Sequence, residues 1–120
     1  MAANKIYKLV TGSGEVLCHK MIMATNILSR MKGLMFSESL PDCDGFLIAP
    51  CNSIHTFFMR YPLDIIFLDQ NFNIVKVLYD LSPWRMTWIY FKSYQVLEMK
   101  AGTLKKNLNI GEKLEAICIS

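Results

Sequence analysis

The chain has 120 residues, of which 52% are hydrophobic and 19% are charged, and its formal net charge is +3. This composition predicts one folded domain over residues 1–120 with a continuous core, and it excludes a disordered chain. The 13 basic residues are scattered, and only Lys105 and Lys106 are adjacent. Because a nucleic-acid-binding protein normally shows a denser basic stripe, we expect no nucleic-acid partner.

No stretch of the sequence reaches the roughly 20 apolar residues that a membrane-spanning helix needs, and no signal peptide is seen. The sequence as given therefore predicts a cytoplasmic protein without a membrane span, while an export leader trimmed from the chain remains an alternative. The four cysteines form no Cys-x-x-Cys pair. The favoured interpretation is buried thiols in a reducing compartment, with no disulfide framework.

Short apolar runs separated by turn residues predict strands at residues 6–10, 15–23, 46–49, 56–59, 63–68, 74–81, 94–99 and 113–119. Two brief helices are expected, the first from residue 25 or 26 to about 32 and the second from about 101 to 107 or 108. Helical crossovers are too few for a parallel sheet. The pattern therefore predicts a mainly β to α+β fold, either an antiparallel β-sandwich or an open barrel with one or two short helices.

Three segments of the sequence resemble a known family. They read Arg-Met-Lys-Gly-Leu-Met at 30–35, Ile-His-Thr-Phe-Phe-Met at 54–59 continuing to Phe-Leu-Asp at 67–69, and Val-Leu-Glu at 96–98 with Ile-Gly-Glu at 110–112. In order and spacing they resemble the prokaryotic domain of unknown function 192 over about residues 5–118. The resemblance implies a compact sandwich of jelly-roll type with a short helix near Arg30, and it implies no established activity.

The segment 51–69 places a thiol, an imidazole and carboxylates within apolar sequence, where an unpaired polar group is costly. Cys51 and His55 could form a nucleophile and its base, but an unreactive thiol beside a hydrogen-bonded histidine is the favoured interpretation. A zinc site that adds Cys43 lacks a fourth ligand and paired spacing. We expect no metal and no cofactor.

Strand alternation places Asp64 on one face with Ile66 and Leu68, which predicts that its carboxylate is at least half buried. Its expected partner is Arg30 or the backbone amides of the bend at 61–62. Glu98 is the other candidate carboxylate, and together with Asp64 it could support acid–base chemistry.

Residues 82–93 lack a clear period and contain both tryptophans of the chain, which predicts a semi-exposed aromatic loop. Trp84, Trp88, Tyr90 and Phe91 could stack on a ligand or fill the pocket of a partner. Alternatively the loop folds back as a lid, since Met86 and Ile89 resemble core residues.

Two functions follow from these residues. The favoured one is a non-catalytic module that binds a small polar ligand, a glycan or a protein partner through a site at Arg30, His55, Asp64, Trp84 and Trp88. The alternative is a small hydrolase-like or thiol enzyme that uses Cys51 and His55 with Asp64 or Glu98.

Overall fold

The computed structural model describes residues 5–24, 44–57, 59–104 and 107–119. Within these residues the chain forms strands and no helix, which confirms the mainly β prediction. The strands are Ile6–Thr11 (β1), Val16–Ala24 (β2), Gly45–Ile48 (β3), Leu63–Leu68 (β4), Ile74–Leu81 (β5), Gln95–Lys100 (β6) and Leu114–Cys118 (β7).

The two predicted helices fall partly or wholly outside the described residues, and one predicted strand is wrong. The helix predicted from residue 25 or 26 lies outside them, as do residues 105–106 of the second predicted helix, whose described flanks form turns and bends. The strand predicted at 56–59 is instead part of a loop at its described residues. This loop pairs with another loop, as described below, and not with a strand of the sheet.

The seven strands form one curled sheet in the order β5-β4-β6-β3-β2-β1-β7. Its two edge strands meet at one end, where Asn73 and Lys113 form a bridge and the Ile74 amide donates to the Glu112 carbonyl oxygen at 2.8 Å. The sheet is therefore a half-barrel, which agrees with the predicted open barrel; the described residues form this one sheet and not a sandwich of two separate sheets.

One strand pair departs from the antiparallel expectation. β2 and β3 run parallel, with Met21 opposite Gly45, while the other five pairs are antiparallel. The antiparallel prediction assumed that parallel strands need a helical connection. A parallel pair requires only a connection long enough to return to the same end of the sheet. The chain between residues 24 and 45 meets that requirement.

All seven strands contribute to a core on the inner face of the curled sheet. Its most buried side chains include Leu9, Met21, Leu47, Ile66, Leu68, Ile74, Leu97, Met99 and Leu114. Each such side chain stabilises the fold by roughly 1.5–3 kcal/mol relative to its exposed state. At Gly45 the packing is so close that a Cβ atom would lie 2.8 Å from Cys18 Sγ, so glycine is required there.

A second core covers the outer face of β3, β4 and β6. Phe46, Leu63, Ile65, Phe67 and Val96 pack there against Ile54, Met59 and Tyr61. The last three residues belong to the connection between β3 and β4, which lies over the sheet. Because both faces of β4 are covered, all six of its residues are buried, and its sequence is apolar at every position except Asp64.

Candidate binding surface

Asp64 is a structural anchor of the half-barrel. It is 1% exposed, and its carboxylate accepts hydrogen bonds from the backbone amides of Asp80 at 2.9 Å, Gly102 at 3.0 Å and Leu104 at 3.1 Å. The predicted burial is therefore confirmed. The prediction that amides of the 61–62 bend bind this carboxylate is wrong, because the donors belong to the end of β5 and to the turn after β6. Arg30, the other expected partner, lies outside the described residues.

Glu98 is equally buried, but it projects from the opposite face of the sheet. Across β4 and β6, Asp64 is opposite Met99, whereas Glu98 is opposite Ile65. Directly opposed residues share a face and successive residues alternate. Met99 belongs to the inner core and Ile65 to the outer one. The structure therefore does not bring the two candidate carboxylates together.

Cys51 and His55 have different surroundings. Cys51 is half-buried, and its Sγ donates to the Ser53 carbonyl oxygen at 3.1 Å. His55 is exposed, and its ring stacks on Phe57 with 4.9 Å between the ring centroids. Among the described residues no group of three or more His, Cys, Asp or Glu side chains is placed to hold a metal ion.

Two long connections form a paired ribbon over the outer core: the 49–62 loop before β4 and the 82–94 loop before β6. They run antiparallel, and backbone amides of the second loop donate to carbonyl oxygens of the first. Tyr90 donates to Asn52 at 2.8 Å, Thr87 to Ile54 at 2.9 Å and Trp84 to Thr56 at 2.9 Å. The ribbon therefore has its own backbone hydrogen bonds, which fix the position of the 82–94 loop.

Thr56 is the central polar residue of this ribbon. It is fully buried, its Oγ1 donates to the Ser82 carbonyl oxygen at 2.7 Å, and the same atom accepts from the Arg85 amide at 2.9 Å. Thr56 was not among the residues predicted from the sequence. The available signal was a hydroxyl group within the apolar run of residues 54–59, where it must find hydrogen-bond partners.

The 82–94 loop exposes a set of large apolar side chains, which we call the aromatic surface. Its members and their exposed fractions are Trp84 60%, Met86 69%, Trp88 84%, Ile89 53% and Phe91 87%. The lid interpretation is therefore wrong for Met86 and Ile89, because the outer core is already covered by other residues of the ribbon. Tyr90 was predicted together with Trp84, Trp88 and Phe91 as part of the binding face, but it is half-buried and packs inward, with its ring centroid 4.5 Å from that of Phe67.

The stacked rings of His55, Phe57 and Trp84 continue the aromatic surface onto the 49–62 loop. The Phe57 ring stacks on the Trp84 ring with 6.0 Å between their centroids, and the His55 ring also stacks on Phe57. His55 and Trp84, both predicted as binding residues, thus belong to one surface. The Asp64 side chain projects from the inner face of the sheet, whereas the ribbon covers the outer face, so Asp64 is not part of the aromatic surface.

Two shallow grooves share Ser93 and Tyr94, and the first of them also touches Phe91. One has a volume of about 310 Å³ and extends to Asp69, Gln70 and Asn71; the other has a volume of about 290 Å³ and extends to Pro50, Cys51 and Asn52. Ser93 is buried between them, and its Oγ donates to the Gln95 carbonyl oxygen at 3.1 Å. Neither groove encloses a pair of residues suited to nucleophilic catalysis.

The fold and this surface define a small mainly β domain, a half-barrel covered on one side by a paired-loop ribbon. The model of the domain of unknown function 192 family, described as Uncharacterized ACR, matches residues 8–116. The chain therefore belongs to this family, which has no established function.

Relatives and solved structures agree with this assignment. A UPF0127 protein of Pyrococcus horikoshii is 34% identical over 78% of this chain and 84% of its own length, and one of Pyrococcus furiosus is 30% identical over 77% and 82%. A Sinorhizobium meliloti 1021 crystal structure, named as a candidate transcription regulator, has a TM-score of 0.72 at 24% identity, covering 95% of this chain and 94% of that one. A Novosphingobium aromaticivorans protein of unknown function also gives 0.72, at 23% identity, covering 92% and 83%. These structural likenesses show the fold alone.

The described residues include no helix that is long and apolar enough to cross a membrane.

Proposed function

We propose that the chain is a non-catalytic docking module and that its aromatic surface binds a protein partner. The observation that carries this proposal is the exposure of five large apolar side chains on one loop that is itself held rigidly. Soluble monomers rarely expose contiguous apolar patches of this kind, and such patches commonly mark interaction sites.

The residue types favour a protein partner over a glycan or a small polar ligand. Protein interfaces are enriched in Trp, Phe, Met and Arg and depleted in Asp and Glu, as is the 82–94 loop. Phe57 has His55 and Trp84 stacked against it, so the rings open to a sugar are limited to Trp88 and Phe91. Met86 and Ile89 offer only apolar contact, which a polyhydroxylated ligand does not reward.

The construction of the ribbon supports docking because it limits the entropy that binding must remove. The amide bonds from Trp84, Thr87 and Tyr90 to the 49–62 loop hold the 82–94 loop in one conformation before any partner arrives. A preorganised surface binds more tightly than a mobile loop of the same composition. Trp84 and Trp88 are the residues we expect to contribute most to the binding free energy.

A selection from a displayed random-peptide library tests the proposal. Peptides that bind the unmodified protein should bind Trp88→Ala or Phe91→Ala at least about tenfold more weakly, since central aromatic residues dominate interfaces. Ile110→Ala is the matched control, because Ile110 is also 70% exposed but lies in the turn before β7, outside the aromatic surface. Circular dichroism and urea unfolding should show that all three variants are folded.

The same selection can contradict the proposal. If the recovered peptides bind the tryptophan and phenylalanine variants as well as they bind the unmodified protein, the aromatic surface is not the docking site. If they lose affinity for Ile110→Ala to the same degree, binding follows general hydrophobicity and the proposal is also wrong.

A further inference from the structure

We infer that the partner presents an acidic face to the aromatic surface. This inference rests on the proposed docking function and adds the charge of the partner to it. It follows from the distribution of ionised groups around the paired ribbon, which differs from that of the rest of the chain.

The ribbon carries cations and no carboxylates. None of the ten Asp and Glu residues of the chain lies in the 49–62 or 82–94 loop, whereas Arg60, Arg85 and Lys92 do, and all three are exposed. Arg85 lies between Trp84 and Met86, and Lys92 follows Phe91 directly. In sequence, the cations are therefore interleaved with the apolar residues of the aromatic surface.

The fold does not neutralise the two cations of the 82–94 loop. Within the part of the chain that the structure describes, neither Arg85 nor Lys92 makes a salt bridge. The acidic residues that adjoin the two loops in sequence are Asp64, Asp69 and Asp80. Asp64 accepts from backbone amides, Asp69 accepts from the Asn71 and Asn73 amides at 2.8 and 2.9 Å, and the exposed Asp80 makes no salt bridge with Arg85 or Lys92. The positive charge of the loop is thus available to a partner.

An acidic protein segment fits this surface better than a nucleic acid does. Single-stranded nucleic acids are bound by aromatic rings that each receive a base and by a groove that follows many phosphates. Met86 and Ile89 offer no ring for a base, and the ribbon has only three exposed cations. An amphipathic segment uses both features, because its apolar side chains contact the aromatic surface while its carboxylates meet Arg85 and Lys92.

Three short synthetic peptides provide the test. They share the same Leu and Phe positions and differ only in carrying Glu, Gln or Lys at the remaining positions. We expect the Glu peptide to bind about threefold to tenfold more tightly than the Gln peptide at 50 mM salt, because each exposed ion pair is worth a fraction of a kcal/mol. The advantage should shrink at 300 mM salt, where exposed charges are screened.

The variants separate this inference from the docking proposal. The double variant Arg85→Gln with Lys92→Gln should lower the affinity for the Glu peptide to that of the Gln peptide and leave the Gln peptide unaffected. Lys20→Gln is the matched control, because Lys20 is an exposed cation of β2 away from the ribbon. It should change neither affinity.

Each failure has its own signature. If Trp88→Ala weakens all three peptides but the Glu and Gln peptides bind equally, the acidic partner is wrong and the docking surface stands. If Trp88→Ala changes none of the three affinities, the docking surface itself is wrong. Tighter binding of an oligothymidylate or of anionic phosphatidylglycerol vesicles than of the Glu peptide, at 50 mM salt, would overturn the inference in favour of that ligand.

Discussion

Thr56 and Trp84 are joined by a 2.9 Å hydrogen bond from the Trp84 amide to the Thr56 carbonyl oxygen, although one residue is fully buried and the other 60% exposed. The bond links the polar centre of the ribbon to its binding face. Since Trp84 adopts a positive φ of 64°, which is unfavourable for a bulky residue, this conformation depends on the surrounding contacts. The aromatic surface is therefore a product of the whole ribbon.

Thr56→Val should destabilise the protein while keeping the shape of the side chain. The substitution leaves the Ser82 carbonyl oxygen and the Arg85 amide without the Oγ1 partner, which we expect to cost about 1–3 kcal/mol. Urea unfolding gives the change in the free energy of unfolding. Thr103→Val is the control, because Thr103 is exposed; an equal loss in both variants would contradict the role of Thr56.

Asp64→Asn should be among the more damaging single changes in the described part of the chain. An amide keeps only one of the two acceptor oxygens and turns an NH₂ group toward the amides of Asp80, Gly102 and Leu104, so at least one buried donor loses its partner. We expect a loss of about 2–4 kcal/mol in the free energy of unfolding. Asp80→Asn, at an exposed residue, should cost far less; equal costs would show that Asp64 is no anchor.

The stability of the turn between β4 and β5 should depend on pH through Asp69. Partial burial raises the pKa of this carboxyl, but hydrogen bonds from Asn73 and Asn71 and the charge of Lys113 outweigh it and hold the pKa below its ordinary value of 3.8. Because the folded pKa is the lower one, this stabilisation is present above the unfolded value and is lost as the pH falls through the folded value.

The comparison variant for this effect is Asp69→Asn. The unmodified protein should be more stable than Asp69→Asn at pH 7, and its advantage should diminish in urea titrations carried out at progressively lower pH, below about 4. A difference between the two proteins that stays constant from pH 7 to acid pH would contradict the assigned role of the Asp69 carboxylate.

Native alkylation by iodoacetamide tests the alternative function, a thiol enzyme. Cys51 is half-buried with its Sγ donating to the Ser53 carbonyl oxygen, whereas Cys118 is exposed and Cys18 is buried. Among these three described cysteines, peptide mass mapping should therefore find Cys118 modified first, Cys51 more slowly and Cys18 only after unfolding. Modification of Cys51 ahead of Cys118 would identify an activated thiol and favour the enzyme over the docking module.

Local patterns predicted the seven observed strands and the burial of Asp64, since alternation in β4 already grouped this carboxylate with Ile66 and Leu68; they did not predict the amides that bind it. Local sequence patterns did not predict the paired ribbon. Its hydrogen bonds join residues such as Asn52 and Tyr90, which are far apart in sequence and follow no regular spacing. A period of two or of 3.6 residues cannot reveal them.

Met86 and Ile89 show why the binding face was also difficult to predict. Hydrophobicity places such residues in the core by default. Here the outer core is filled by Ile54, Met59 and Tyr61, so the apolar residues of the 82–94 loop remain on the outside. The sequence alone does not show that other residues already fill the outer core, so it does not show that Met86 and Ile89 remain exposed.

The two indole N–H resonances provide the most direct measurement of the central claim. The chain has two tryptophans, Trp84 and Trp88, and both lie in the aromatic surface. In a ¹⁵N-correlated NMR titration with the Glu peptide, both indole signals should shift with one common affinity, while the amides of Gly12 and Gly14, in the β1–β2 turn, stay in place. Shifts confined to other amides, with both indole signals unmoved at saturation, would contradict the assignment of the aromatic surface as the docking site.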